Sequence, residues 1–157
     1  MLRLAILFTA MLVTPALASA QSIEGVWLMT EIEDVGGPNA GVTPAAQARL
    51  LMYTKSHFMW AFDNGAPART PISGPGADAS DAEWGRFARQ YQSSGGTYRL
   101  DGSTITYIHR VSLVPNTMLP ENQTQVRQIR TLTPTFLETQ VTNPDGVTTI
   151  LRYRRVE

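Results

Sequence analysis

The chain has no cysteine, which excludes a disulfide framework, an iron–sulfur or zinc-thiolate centre, a thiol nucleophile and a lipid-modified cysteine anchor. Histidine is nearly as scarce. His57 and His109 are the only imidazoles, and neither an H-x-x-x-H spacing nor a carboxylate-rich loop accompanies them, so no metal site is expected. Excess charge is missing too: 13 basic and 13 acidic side chains balance to a formal net charge of zero. The arginines are spread along the chain rather than gathered into a basic stripe, so nucleic acid is not expected as a partner. No G-x-S-x-G elbow is present for a serine nucleophile. Gly74-Pro75-Gly76-Ala77-Asp78-Ala79 has the glycine spacing of a dinucleotide loop. No strand precedes it, however, and proline removes a backbone donor where a phosphate needs one, so no cofactor is expected.

Long apolar runs are also absent, except at the start. Met1-Leu2-Arg3 gives a positive end, Leu4 to Val13 is apolar, and Pro15 breaks the run before Ala18-Ser19-Ala20. That is the layout of a secretory signal peptide with a small-x-small cleavage site. The expectation is cleavage after Ala20, leaving one domain over residues 21–157. No later segment is apolar enough to span a bilayer. An exported chain free of cysteine fits a bacterial periplasm better than a eukaryotic secretory route, so the expected location is periplasmic or secreted.

What is present reads mostly as strands. Gly25 to Val35, Ala48 to Thr54 and Phe58 to Phe62 are rich in β-branched and large apolar residues. Thr97 to Leu100 and Ser103 to Leu113 flank Asp101-Gly102, a favoured hairpin turn. Pairing across it sets Leu100 opposite Ser103 and Tyr98 opposite Ile105. Tyr98, Leu100, Ile105, Tyr107, His109, Val111 and Leu113 then share one inward face. Gln123 to Leu132, Phe136 to Thr142 and Val147 to Val156 complete the set, joined by Thr133-Pro134-Thr135 and Asn143-Pro144-Asp145-Gly146. The turn at Lys55-Ser56-His57 leaves two registers open: one places Leu51 and Tyr53 with Trp60, the other Met52.

One segment reads as helix. Ser80-Asp81-Ala82-Glu83 is a capping box. Trp84, Phe87, Ala88 and Tyr91 recur at helical spacing as a packing face, and Gly95-Gly96 ends the run. Asn64 to Ala79, rich in Gly, Pro and Ala, is a loop in the position of a lid. About eight antiparallel strands in one domain escape exposed edges by closing. The expected fold is all-β: a closed up-and-down barrel with one short helix between its third and fourth strands. Eight strands enclose room for side chains or one small ligand.

Ile23-Glu24-Gly25-Val26-Trp27 resembles the G-x-W start of the first strand in lipocalins. Met52-Tyr53-Thr54, Gly96 to Gly102, the strand carrying His109, Ser112 to Asn116 and Gln125-Val126-Arg127 resemble the bacterial lipocalin-like domain family, over about Ile23 to Glu157. The resemblance implies a calycin-type barrel in which Trp27 plugs one end and an arginine of the last strand covers its ring. It thereby points to Arg152 and Arg154 as structural partners.

Inside such a barrel the candidate ligand contacts are Trp60, Tyr98, Tyr107, His109 and Arg127. His109 stands in an apolar row, as a satisfied core residue, a ligand contact or an acid–base group. Arg127 is structural if buried with a carboxylate such as Glu31, and a holder of an anionic head group if unpaired in a cavity. The leading expectation is a barrel that binds a small hydrophobic molecule in an apolar interior. The alternatives are a cofactor-free isomerase or cyclase using His109, and a filled barrel acting through a protein partner. A cavity above roughly 300 Å³ separates the first two from the third.

Overall fold

Alternation of large apolar residues along Gly25–Val35 gives β1, whose Trp27 and Met29 are buried together. The computed structural model describes residues 21–65, 71 and 78–157. The expected leader, most of the Asn64–Ala79 loop and the Gly74–Ala77 stretch lie outside them. After β1 come β2 (Gly41–Pro44), β3 (Arg49–Tyr53), β4 (His57–Asp63), α1 (Asp81–Ala88), β5 (Tyr91–Asp101) and β6 (Thr104–Ser112). A 3-10 turn at Pro115–Met118 precedes β7 (Thr124–Leu132), β8 (Phe136–Thr142) and β9 (Thr148–Arg155).

Each strand from β3 onward pairs antiparallel with the next, and β9 returns to β1. The sheet is therefore a closed barrel. β2 and β3 pair in succession with the two halves of β1 and share one position, so nine strands fill eight places. Among the described residues, no helix is long and apolar enough to cross a membrane.

The helix lies between β4 and β5, not between the third and fourth strands as expected, because Gly41–Pro44 forms a strand of its own. All four of its residues are exposed, so no buried alternation marks it. The capping box is present, with Ser80 Oγ accepting from the Glu83 backbone and the Glu83 carboxylate accepting from the Ser80 backbone. The aromatic stripe is not a core face: α1 buries no residue, and Trp84 is 48% exposed. The helix also stops at Ala88, well before Gly95-Gly96. Tyr91 to Gly96 is strand, because β4 needs hydrogen-bonding partners along its whole length and finds them from Tyr91 to Thr97.

The two hairpins resolve differently. Leu51 pairs with Trp60 and Tyr53 with Phe58 across the Lys55-Ser56 turn, the first of the two registers left open. At the second hairpin the turn is Gly102-Ser103, with Leu100 opposite Ile105 and Tyr98 opposite Tyr107. The slip is two residues, so every side chain keeps its face. A bulge at Arg110 then changes the parity of β6. Ile105, Tyr107 and His109 are buried, whereas Val111 and Leu113, expected inside, are exposed, Val111 by 60%. Leu100, at the barrel end, is exposed as well. Gly96 makes the bulge possible, since a Cβ there would run into the Ile108 carbonyl.

The core is concentrated at one end, around Trp27, Met29, Leu51, Tyr53, Phe58, Ile105, Leu137 and Tyr153. Trp27 is fully buried, and its indole N–H donates to the Ile23 carbonyl at 2.9 Å. Arg155 lies over its ring, 4.1 Å from the centroid. The same guanidinium donates to the carbonyls of Pro134 at 2.6 Å, Ser22 at 2.7 Å and Glu24. A planar cation on an indole face contributes about 0.5–2 kcal/mol, and here it also ties three chain segments together. Trp27→Ala is expected to cost about 3–5 kcal/mol. Arg155→Met should cost less, about 1–2 kcal/mol. Denaturant unfolding of both variants checks this, and a Trp27→Ala loss under about 1 kcal/mol would place it with surface substitutions.

Candidate functional site

Opposite the plugged end, the barrel opens into a cavity of about 480 Å³. Its apolar walls are Trp60, Phe62 and Val114, and the polar groups deeper in are His109, Gln125 and Arg127. Asn116, Thr117, Glu121, Asn122 and Thr124, from the β6–β7 connection and the start of β7, add a polar rim. The lining is thus mixed rather than apolar as expected. Below Arg127 the space narrows between Leu51, Tyr107 and Tyr153 to about 10 Å³, little more than room for one water.

The floor is aromatic. The hydroxyls of Tyr53 and Tyr107 hydrogen-bond to each other, and Phe58 stands edge-on to Tyr107 at 4.7 Å. Burial pushes the phenols of Tyr53, Tyr107 and Tyr153 up from their ordinary values, so all three are neutral at physiological pH. Trp60 and Phe62 lie 4.7 Å apart as a continuous wall. Tyr98 does not reach this space. It sits nearer the plugged end, edge-on to Tyr53 at 5.0 Å, with its hydroxyl donating to the Thr54 carbonyl at 2.8 Å.

His109 is the last inward residue of β6 before the bulge. Ser94 Oγ lies 2.5 Å from its Nδ1 and 2.8 Å from the Val111 carbonyl. A carbonyl only accepts, so the serine proton goes to Val111 and Oγ accepts from Nδ1–H. That fixes the neutral tautomer with Nε2 as a bare acceptor on a ring that lines the cavity. Burial and the neighbouring Arg127 guanidinium hold the imidazole below its ordinary pKa. Its ring partner is a serine and not a carboxylate.

Arg127 enters from β7, opposite Ile105. Its guanidinium lies 6.0 Å from the Tyr107 ring and beside the Tyr153 phenol. No described carboxylate pairs with it, and its buried Nε has no protein acceptor. Glu31 is taken elsewhere. On the outer wall, Arg152 bonds Glu33 at 2.5 Å, Glu138 at 2.8 Å and Glu31 at 3.4 Å, with Arg130 on Glu138 at 3.4 Å. Arg152 therefore clamps β1, β8 and β9 from outside. Arg154 is exposed, in register with Leu28 and Phe136. The guanidinium over Trp27 belongs to neither but to Arg155, because β9 side chains alternate and the odd-numbered positions face in.

Sequence reasoning missed Arg49, Ser94, Thr139 and Tyr153. Arg49 precedes Leu51 and Tyr53 at strand spacing, so their alternation carries it inward. Its Nε is buried without a partner, Nη1 meets only Met29 Sδ at 3.8 Å, and its guanidinium lies 5.9 Å from the Phe62 ring. Ser94 was hidden because its segment read as the end of a helix. Among the described residues, no group of three or more His, Asp or Glu is placed to hold a metal ion.

No family model matches the chain, and no curated protein matches it. Solved structures do. A lipocalin-like protein from Bacteroides uniformis is 12% identical, with 82% of this chain and 96% of that one covered and a TM-score of 0.46. An uncharacterized protein from Bacteroides eggerthii is 12% identical, with coverage of 84% and 98% and a TM-score of 0.44. A redesigned beta barrel is 12% identical, with coverage of 85% and 91% and a TM-score of 0.43. The closed barrel itself stands on its own strand pairing.

The depressed His109 pKa has a consequence for stability. Just below pH 6.5 the unfolded chain takes up a proton on this histidine that the folded chain refuses, so the folding free energy weakens as pH falls through that interval. Replacing His109 by Gln, which hydrogen-bonds but does not titrate, should flatten this slope. Urea unfolding at stepped pH reads it, and an unchanged slope in the variant would show the proton uptake to lie elsewhere.

Proposed function

We propose that this chain is an exported barrel that binds a small hydrophobic or amphipathic molecule in its open end. The observation that carries the reading is the cavity of about 480 Å³ walled by Trp60 and Phe62, within the roughly 300–1,000 Å³ range of ligand sites. The lipocalin-like motifs in the sequence support it, since that architecture plugs one end and leaves the other for a ligand. A filled barrel working only through a protein partner is disfavoured by the same space. Acid–base catalysis by His109 gains nothing from its surroundings, because no carboxylate raises the basicity of its ring. Export rests on Met1-Leu2-Arg3, the apolar run to Val13 and Ala18-Ser19-Ala20.

The folded protein should bind the uncharged fluorescent probe N-phenyl-1-naphthylamine (1-anilinonaphthalene) saturably at one site. Trp60→Ala should weaken binding by about tenfold, as expected for losing one aromatic wall, and Trp84→Ala, on α1, by much less. Non-saturable binding, or equal effects of the two substitutions, would remove the cavity from consideration. Sequencing the N-terminus of protein made in its own host should return Gln21 in a soluble exported fraction. Met1 on protein held in membranes would refute export.

A further inference from the structure

Among the described residues, four buried side-chain atoms have no hydrogen-bond partner of normal geometry: Arg49 Nε, Arg127 Nε, Thr139 Oγ1 and the Tyr153 hydroxyl. The last lies beside the Arg127 guanidinium, whose Nη2 reaches Gln125 Oε1 at a long 3.5 Å. All four can donate a hydrogen bond, and the two guanidinium nitrogens can do nothing else. They come from β3, β7, β8 and β9 and face the same interior. Tyr153 lines its narrow lower part with Arg127, and both guanidinium groups act on the Tyr153 phenol. What would complement them is therefore rich in acceptors.

Charge narrows the choice. An arginine does not deprotonate in a protein, and a buried cation without a counter-charge is costly. Arg127 and Arg49 bring two positive charges into the upper barrel, while the three tyrosines are neutral and His109 is neutral near pH 7. Among the described residues, Glu121 is the only carboxylate lining the cavity, at its exposed rim, and it forms no ion pair with Arg127. Water completes hydrogen bonds but leaves the charge standing. An anion answers both needs, and a carboxylate matches the planar fork of a guanidinium.

The walls set the rest of the ligand. Trp60 and Phe62 form a flat apolar surface beside Arg127, suited to an aromatic ring or a short chain. The polar rim gives no continuation for a long alkyl tail.

Building on the reading of the barrel as a ligand binder, we infer that its ligand is a small organic anion. This aromatic or short-chain carboxylate places its head group on Arg127 and its apolar part against Trp60 and Phe62. His109 Nε2, a bare acceptor on the same wall, favours acids that also carry a hydroxyl donor.

A matched pair tests this: 2-naphthoate and its neutral amide, 2-naphthamide, share size and ring and differ in charge. Titration calorimetry and tryptophan quenching on the full barrel should find naphthoate tighter by about tenfold or more, the scale of a charged hydrogen bond made in place of a neutral one. Arg127→Met should abolish that preference, weakening naphthoate at least about tenfold more than naphthamide. Because the substitution removes an uncompensated charge, the variant should melt no lower than wild type without ligand, and naphthoate should raise the melting temperature of wild type alone. Should Arg127→Met fail to fold, Arg127→Lys keeps the charge without the fork, and it should lose most of the naphthoate preference. Equal affinity for acid and amide, or a preference that survives Arg127→Met, overturns the proposal while the barrel remains a ligand binder. Binding of the anilinonaphthalene probe without either naphthalene compound also overturns it alone. Absence of binding by every probe overturns the ligand-binding reading and this proposal with it.

Discussion

Closure of β9 onto β1 is the constraint on which the rest of the molecule depends. Each of the other strands has a sequence neighbour to pair with, but β1 and β9 meet only if the sheet curls through a full turn. The contact is locked twice. Inside, Arg155 covers Trp27 and gathers the carbonyls of Ser22, Glu24 and Pro134. Outside, Arg152 draws Glu31 and Glu33 of β1 and Glu138 of β8 onto one guanidinium. Individually such surface pairs contribute little, but one arginine shared by three strands fixes their relative register.

With one end plugged, departures from regular pairing decide what the other end presents. A bulge at Thr30 in β1, another at Arg110 in β6 and a third at Arg130 in β7 each turn the following residues over. The first sends Glu31 and Glu33 to the outer wall and Ile32 inward. The second makes His109 the last inward residue of its strand and lets Ser94 reach its ring. Gly96 is the local requirement for that arrangement, since no side chain fits against the Ile108 carbonyl. A dipeptide that reads in sequence as a helix stop is, in the barrel, the backbone gap that seats an imidazole.

Strand alternation and turn chemistry made most of the barrel legible. That hairpins stand near Lys55 and Gly102, the capping box at Ser80 and the inward set Tyr107 and His109 followed from side-chain period and turn residues. The first register stayed open, and the second turn lies one residue later than expected. Illegible parts have a common cause, which is that tertiary pairing overrode a local signal. Gly41–Pro44 has no apolar alternation yet is strand, because the open half of β1 needs a partner. Tyr91 continues a helical period and yet begins β5, because β4 needs one too. The placement of Val111 and Leu113 failed at a bulge, where a single added residue reverses a whole face. Arg127 was singled out with the Gln125-Val126-Arg127 segment that resembles the family, and the structure places it inward with Gln125 at strand spacing. Arg49 was passed over although Leu51 and Tyr53 carry it inward by the same rule, since a charged residue at the start of a strand reads as solvated.

The same interior carries a tension between stability and use. The plugged half is what a core should be, apolar and with its polar atoms satisfied: the Trp27 indole has its carbonyl, and the Tyr53 and Tyr107 hydroxyls have each other. Above them the pattern reverses. Among the described residues, the Nε atoms of two guanidinium groups, a phenol and a threonine hydroxyl are buried without a hydrogen-bond partner, and the carboxylates gather on the outer wall rather than beside them. A chain selected only to fold would exchange Arg127 for a residue such as Met, because an apolar replacement of similar size removes a desolvated charge. The plugged end shows that this barrel can be packed and satisfied. The donors at the open end are therefore an excess over what folding needs, and that excess is what the proposed ligand would have to meet.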